Sequence, residues 1–135
     1  MTGFLPSGLP DRVGDDEDLA RILRSSSHFT SSTVKAAAFM PARDSTTSVI
    51  RHGADPRESL WQHARKVLGA EVRHGAAICR ALVAREERLD VLADEPPPRH
   101  ANVIGWPANP DPELEKAQRK EIALQIASKS KLIRI

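Results

Sequence analysis

The chain has 135 residues and a mass of 14.8 kDa, the length of one domain. Its 40% hydrophobic and 28% charged residues form a globular mixture that excludes a fibrous, disordered or membrane-embedded composition. The formal net charge of +2 is unevenly divided: residues 1–18 hold Arg12 against Asp11, Asp15, Asp16, Glu17 and Asp18, a local charge of −4, so the remaining 117 residues carry +6.

Eighteen residues are alanine, five are Phe or Trp and none is tyrosine, so the core has to come from Leu, Ile and Val. Fourteen of the twenty bases are arginine, a planar fork suited to phosphate or carboxylate, although a GC-rich genome produces the same bias. Cys79 is the single cysteine, which rules out an intrachain disulfide and a cysteine-based zinc site and points to a reducing compartment. The first ten residues lack a basic segment followed by an apolar run, and no stretch approaches the ~18 apolar residues of a membrane span. The expectation is a cytoplasmic protein with no membrane partner.

In chain order, residues 1–18 read as a flexible acidic arm and residues 19–135 as a single α+β domain. Leu19, Ile22 and Leu23 are spaced as one or two helical turns, and the polar run Ser25–Thr33 is a loop. Val34–Met40 and Thr46–Arg51, separated by Pro41–Ser45, suggest a β-hairpin, although Ala36, Ala37 and Ala38 favour helix. Asp55, Pro56 and Glu58 combine an N-cap acid, a proline at the first helical position and a glutamate at N3. They predict a helix over 56–68, with Leu60, Trp61, Ala64, Val67 and Leu68 on one apolar stripe and Gly69 as its stop.

A shorter helix is expected over Ala76–Glu86, then a strand at Leu89–Ala93. Pro96–Pro98 reads as a rigid polyproline connector, followed by a strand over Ala101–Trp106. Asn109–Pro112 starts a last helix that runs to about Ser128, and Lys131–Ile135 alternates as a final strand. The interspersed elements predict an α+β fold with a small mixed or antiparallel sheet and two to four helices.

Two segments offer chemistry. Ile50-Arg51-His52-Gly53, placed directly after a strand, is similar to the phosphohistidine motif of the phosphoglycerate mutase and acid phosphatase families. That resemblance implies a histidine nucleophile at His52 and a phosphoryl-holding arginine at Arg51. Arg51-His52-Gly53-Ala54 recurs as Arg73-His74-Gly75-Ala76, but the flanks differ, and those families need a larger scaffold than the 84 residues after Arg51 supply. A polar strand end followed by a glycine turn accounts for both copies.

The second segment, Pro98–Pro107, delivers Arg99, His100 and Asn102 at the start of an apolar strand. On a strand His100 and Asn102 share a face, where His100 serves as a general base and Asn102 as a donor to an anion. The simpler account has both side chains capping the strand while Trp106 anchors the core. His52, His63 and His74 are separated by helix breakers and no HxH or HExxH spacing occurs, so neither metal nor cofactor is expected.

The Val34–Arg51 segment, the Trp61 helix and Glu95–Pro107 with its following helix together resemble a family of small uncharacterised bacterial proteins, with a Pro-x-His-Ala-Asn-x-x-Gly-Trp-Pro segment, over roughly residues 30–128. The resemblance implies that Arg51, His100, Asn102, Gly105 and Trp106 belong to one design and names no activity. The expected function is a small non-catalytic interaction or accessory module of a bacterial cytoplasm. It would bind a protein partner or a nucleic-acid-containing complex through Arg51, Arg99, His100 and Asn102, and could form a homodimer over the last helix. The alternative is a small enzyme of phosphoryl or phosphodiester chemistry using His100 or His52 with Arg51 and Arg99. A third possibility has the acidic arm folding back to mask the basic body.

Overall fold

The computed structural model describes residues 3–53 and 57–135. One six-stranded, wholly antiparallel sheet organises them, in the order β4-β5-β2-β1-β3-β6. The strands are β1 (Asp18–Ile22), β2 (Thr47–Arg51), β3 (Gly75–Arg80), β4 (Asp90–Ala93), β5 (His100–Ile104) and β6 (Lys131–Arg134). The helices are α1 (Arg57–Leu68), α2 (Ala81–Glu86) and α3 (Pro112–Ser128). This is the expected α+β class, with the antiparallel form of the sheet realised.

Both faces of the sheet are covered. The larger core gathers Leu19, Val49, Val91, Ala101 and Val103 from the strands with Phe39, Trp106 and Ile126 from the connections and α3. The smaller one packs Ala20, Ile22, Ile50 and Ala76 against Leu60 and Ala64 of α1. Alanine lets backbones approach closely, and α3 uses this, setting Ala123 and Ala127 near the short 3-10 turn Ala36–Ala38. Asp111 caps α3 by accepting from the amides of Glu113 and Leu114, with Pro112 at the first helical position.

Several elements differ from the sequence reading. Leu19–Leu23 belongs mainly to β1, whose neighbouring residues Leu19 and Ala20 enter opposite cores; a central strand buried on both faces loses the alternation that would reveal it. Val34–Met40 is not the partner of β2, because the three alanines take the 3-10 turn and β2 pairs with β1 and β5 instead. Ala76–Arg80 is strand and only Ala81–Glu86 is helix. Pro96–Pro98 lies in the β4–β5 hairpin connection, closed by the Asp94 amide donating to His100 O and the His100 amide donating to Pro97 O, and so is not a spacer. Trp61 is half-buried beside the smaller core rather than central to it. The Asp55 cap lies outside the described residues, while Gly69 takes the predicted positive φ of +67°.

The two Arg-His-Gly copies are not a structural repeat. Arg51 is the last residue of β2, whereas Gly75 opens β3. Gly75, with φ +137°, is required by its neighbour: a Cβ there would collide with the carbonyl oxygen of Ile133.

The acidic segment also departs from the picture of a separate arm. Val13 is 1% exposed within the larger core. Glu17 pairs with Arg51, Asp15 with Arg85, and Asp16 at longer range with Arg80. Opposite charge and one apolar anchor therefore bring residues 13–17 onto the body.

Candidate functional site

The β5 sequence His100-Ala101-Asn102-Val103 alternates, with Ala101 and Val103 pointing into the larger core. His100 and Asn102 therefore emerge together on the opposite face, as the period of two requires. Antiparallel pairing puts Ser48 of β2 opposite Asn102 and Ile50 opposite His100. The His100 ring crosses this ladder diagonally, bringing Nε2 within 2.6 Å of Ser48 Oγ. On its other side Nδ1 lies 3.0 Å from the Asp94 carbonyl oxygen and 3.2 Å from Asp94 Oδ2. Asn102 Nδ2 donates to the same Oδ2 at 3.0 Å.

These contacts fix the tautomer of a neutral ring. A carbonyl oxygen can only accept, so Nδ1 carries the hydrogen. Nε2 then holds the lone pair and accepts a hydrogen bond from the Ser48 hydroxyl. Ser48, His100 and Asp94 thus form a relay of hydroxyl, imidazole and backbone carbonyl, with the Asp94 carboxylate beside Nδ1 and held by Asn102.

Arg21 completes the surroundings. The residues paired between β1 and β2 are Leu19 with Arg51 and Ala20 with Ile50, and beyond these the guanidinium of Arg21 bridges to the neighbouring backbone. Its Nε donates to Ala38 O at 2.7 Å and Nη1 to Ser48 O at 2.9 Å. Burial, reinforced by the charge of Arg24, pushes its pKa down to about 10. Among the described residues no carboxylate forms an ion pair with it; its partners are the two carbonyl oxygens.

Arg21, Arg24, Ser48, Asp94, His100 and Asn102 line one groove of ≈ 350 Å³. The nearby carboxylates are engaged: Asp94 by His100 and Asn102, and Asp44, also on the groove, by the amide and hydroxyl of Thr46. The lining thus carries two arginines and two carboxylates, and His28 lies near the arginines. The pKa of His28 is lowered by burial first, and then by Arg21, His74 and Arg24.

The remaining residues singled out in the sequence have other work. Arg51 is wholly buried, with Nε and Nη2 each 2.8 Å from a Glu17 oxygen, Nη1 donating to Pro10 O at 2.7 Å and Nη2 also reaching Arg12 O at 3.4 Å. It is a structural cation that ties the acidic segment to β2, which corrects its assignment as a ligand-binding group. Burial works against ionisation of Glu17, yet hydrogen bonds from Arg51 and the Gly14 amide, with the charges of Arg51 and Arg85, hold its carboxyl below the ordinary value.

Arg99, at φ +67°, donates from Nη1 to the carbonyl oxygens of Arg51 and His52, joining the β4–β5 connection to the end of β2. The His52 amide donates to Asp18 O, and His52 does not line the groove. His100 and Asn102 are therefore brought together, whereas Arg51, His52 and Arg99 stand apart from their cleft. Ser48, Asp94 and Arg21 went unnoticed in the sequence. Ser48 sits in a β-branched strand without a nucleophile motif, and only the β2–β5 register places it against His100.

No described helix is long and apolar enough to cross a membrane. Comparison with known proteins finds no matching family model, no matching curated protein and no matching solved structure.

Proposed function

We propose that the protein is a small interaction module whose β2–β5 groove recognises an anionic group, a carboxylate or phosphate, displayed by a protein partner. The observation that carries this reading is Arg21, a guanidinium held by two carbonyl oxygens with no carboxylate pair among the described residues. A desolvated cation without a counter-charge is costly, and an incoming anion removes that cost.

Arg24 adds a second charge on the same groove, while His100 and Asn102 offer polar edges. The acidic segment engages Arg51, Arg80 and Arg85, so it supports a version of the masking idea in which those bases are covered and Arg21 and Arg24 are left for a partner. A localised groove suits one anionic side chain or terminus better than the phosphate track of a nucleic acid, which calls for a row of bases. The buried free thiol of Cys79 fits the reducing bacterial cytoplasm that belongs to this reading.

The test is titration of the full chain with inorganic phosphate and with a phosphoserine peptide, followed by amide and side-chain resonances. Saturable shifts at Arg21, Ser48 and Asn102, with affinity reduced about tenfold or more in Arg21→Met, equivalent to ~1.4 kcal/mol, are expected. Shifts spread over the surface, or unchanged affinity in a folded Arg21→Met, reject the groove. Retention on DNA or RNA with a steep salt dependence would replace the protein partner by a nucleic acid.

A further inference from the structure

We propose that the same groove is a hydrolytic site in which Ser48 is the nucleophile, His100 its general base and Asp94 the residue whose carbonyl orients His100 and whose carboxylate lies beside it, acting on an ester whose acyl part carries an anionic group. The choice of an anionic substrate rests on the groove reading above; the nucleophile does not. Three features carry the assignment. Ser48 Oγ is 2.6 Å from His100 Nε2, inside the range for proton transfer from a nucleophile to its base. Nδ1 faces Asp94 O and Oδ2 at 3.0 and 3.2 Å, which selects the tautomer able to take that proton. The relay also opens on a groove beside Arg21 and Arg24 instead of lying wholly within a core, as a merely structural triad could.

The order of roles is that of serine hydrolases, assembled here from two paired strands and a hairpin end. Ser48 Oγ bonds to the ester carbonyl carbon while its proton passes to Nε2, and the resulting imidazolium is stabilised by Asp94. The bond from that carbon to the leaving oxygen then breaks, and Nε2 returns the proton to the departing alcohol. Water adds to the acyl carbon, giving its proton to Nε2, and the Oγ–C bond breaks as Oγ regains a proton. The sum is ester plus water to carboxylic acid plus alcohol. Arg21, donating to Ser48 O from Nη1 at 2.9 Å, holds a positive charge beside the nucleophile's residue, where it would meet the anionic group of the acyl part. Asn102, through its bond to Asp94, is a positioning residue.

The experiment treats the full chain with diisopropyl fluorophosphate. Labelling forms an Oγ–P bond and breaks P–F, fluoride leaving and the hydroxyl proton going to His100. Peptide mass mapping should find the adduct on Ser48 and on no other serine, and none in Ser48→Ala. In His100→Gln the labelling rate should fall about 100-fold or more with the melting temperature unchanged, and Asn102→Ala should slow it less. Mono-4-nitrophenyl succinate should be hydrolysed with a higher kcat/KM than 4-nitrophenyl acetate, and Arg21→Met should abolish that preference.

The labelling of the unaltered chain needs no variant, so a substitution that fails to fold cannot hide the answer. An unlabelled Ser48, or equal rates with and without His100, overturns the nucleophile. If phosphate still binds in that case, the recognition groove survives without chemistry. If Ser48 labels but phosphate and succinate ester gain nothing from Arg21, the anionic-substrate assignment and the groove reading fall while the nucleophile remains.

Discussion

Glu17→Gln is the substitution whose cost the structure defines most sharply. It leaves the shape of the side chain but removes the charge opposite a guanidinium that is 0% exposed. Arg51 would keep its donors to Pro10 O and Arg12 O and one amide oxygen, yet lose a bidentate, charge-assisted pair at 2.8 Å on each arm. Breaking a fully buried pair costs roughly 3–5 kcal/mol. Because Glu17 is 24% exposed, water can partly take its place, which brings the expectation to about 2–3 kcal/mol, or a melting temperature lower by about 10 °C.

Burial is asymmetric, and this yields a sharper test than one value. Arg51→Met leaves a carboxylate that reaches solvent, whereas Glu17→Gln leaves a cation that cannot. The double variant should therefore be more stable than Glu17→Gln alone. Asp16→Asn serves as the control, since Asp16 and Arg80 are 3.8 Å apart at 93% and 61% exposure and an exposed pair contributes less than about 1 kcal/mol. Urea unfolding followed by circular dichroism measures all four. If Glu17→Gln stays within about 0.5 kcal/mol of the parent, the acidic segment is not held by Arg51 and the packing argument is wrong.

The same carboxyl sets a pH dependence. Its pKa is lowered on folding, so the stability it contributes is present above the unfolded value, near 4.5, and is lost as pH falls through the lower folded value; urea midpoints taken down through this window should drop less steeply in Glu17→Gln. Burial raises the Cys79 thiol to about 11, so at pH 8 about one thiol in a thousand is ionised and a disulfide reagent should react slowly until urea is added. Rapid stoichiometric reaction of the folded chain would contradict that placement. Gly75→Ala should cost at least ~2 kcal/mol, because the added Cβ meets the Ile133 carbonyl in a backbone region that disfavours side chains; an unchanged melting temperature would show that β3 and β6 do not approach as described.

The elements that were legible are those whose signals are local. Pro112 after Asp111 announces α3, and the polar–apolar alternation of Ala101-Asn102-Val103 announces β5, because caps and half-buried strands are written within a few residues. β1 escaped for the opposite reason. Leu19, Ala20 and Ile22 are buried on two faces, so the spacing that marks an exposed edge is absent. The hairpin proposed between Val34–Met40 and β2 failed because proximity along the chain was taken for pairing, while β2 is satisfied by β5, whose partner for Ser48 is Asn102, fifty-four positions away.

The candidate site divides along the same line. His100 and Asn102 could be placed on one face from their spacing alone, but their partners are set by register, which depends on every apolar residue in three strands. Arg51 attracted attention because Arg-His-Gly is a local pattern; its actual role follows from Glu17, thirty-four residues earlier, and from a segment whose composition suggested an arm. Charge read as a sum hid this. The −4 segment and the +6 body are not two opposed surfaces, because Asp15, Asp16 and Glu17 are matched to Arg85, Arg80 and Arg51. Arg21 has no such partner among the described residues, and it donates to the carbonyl of the serine whose hydroxyl meets His100. A cation without a counter-charge is destabilising unless something else compensates it. Its bonds to the Ala38 and Ser48 carbonyls tie the 3-10 turn to β2 and hold its charge beside the relay, where the proposed anionic ligand would sit.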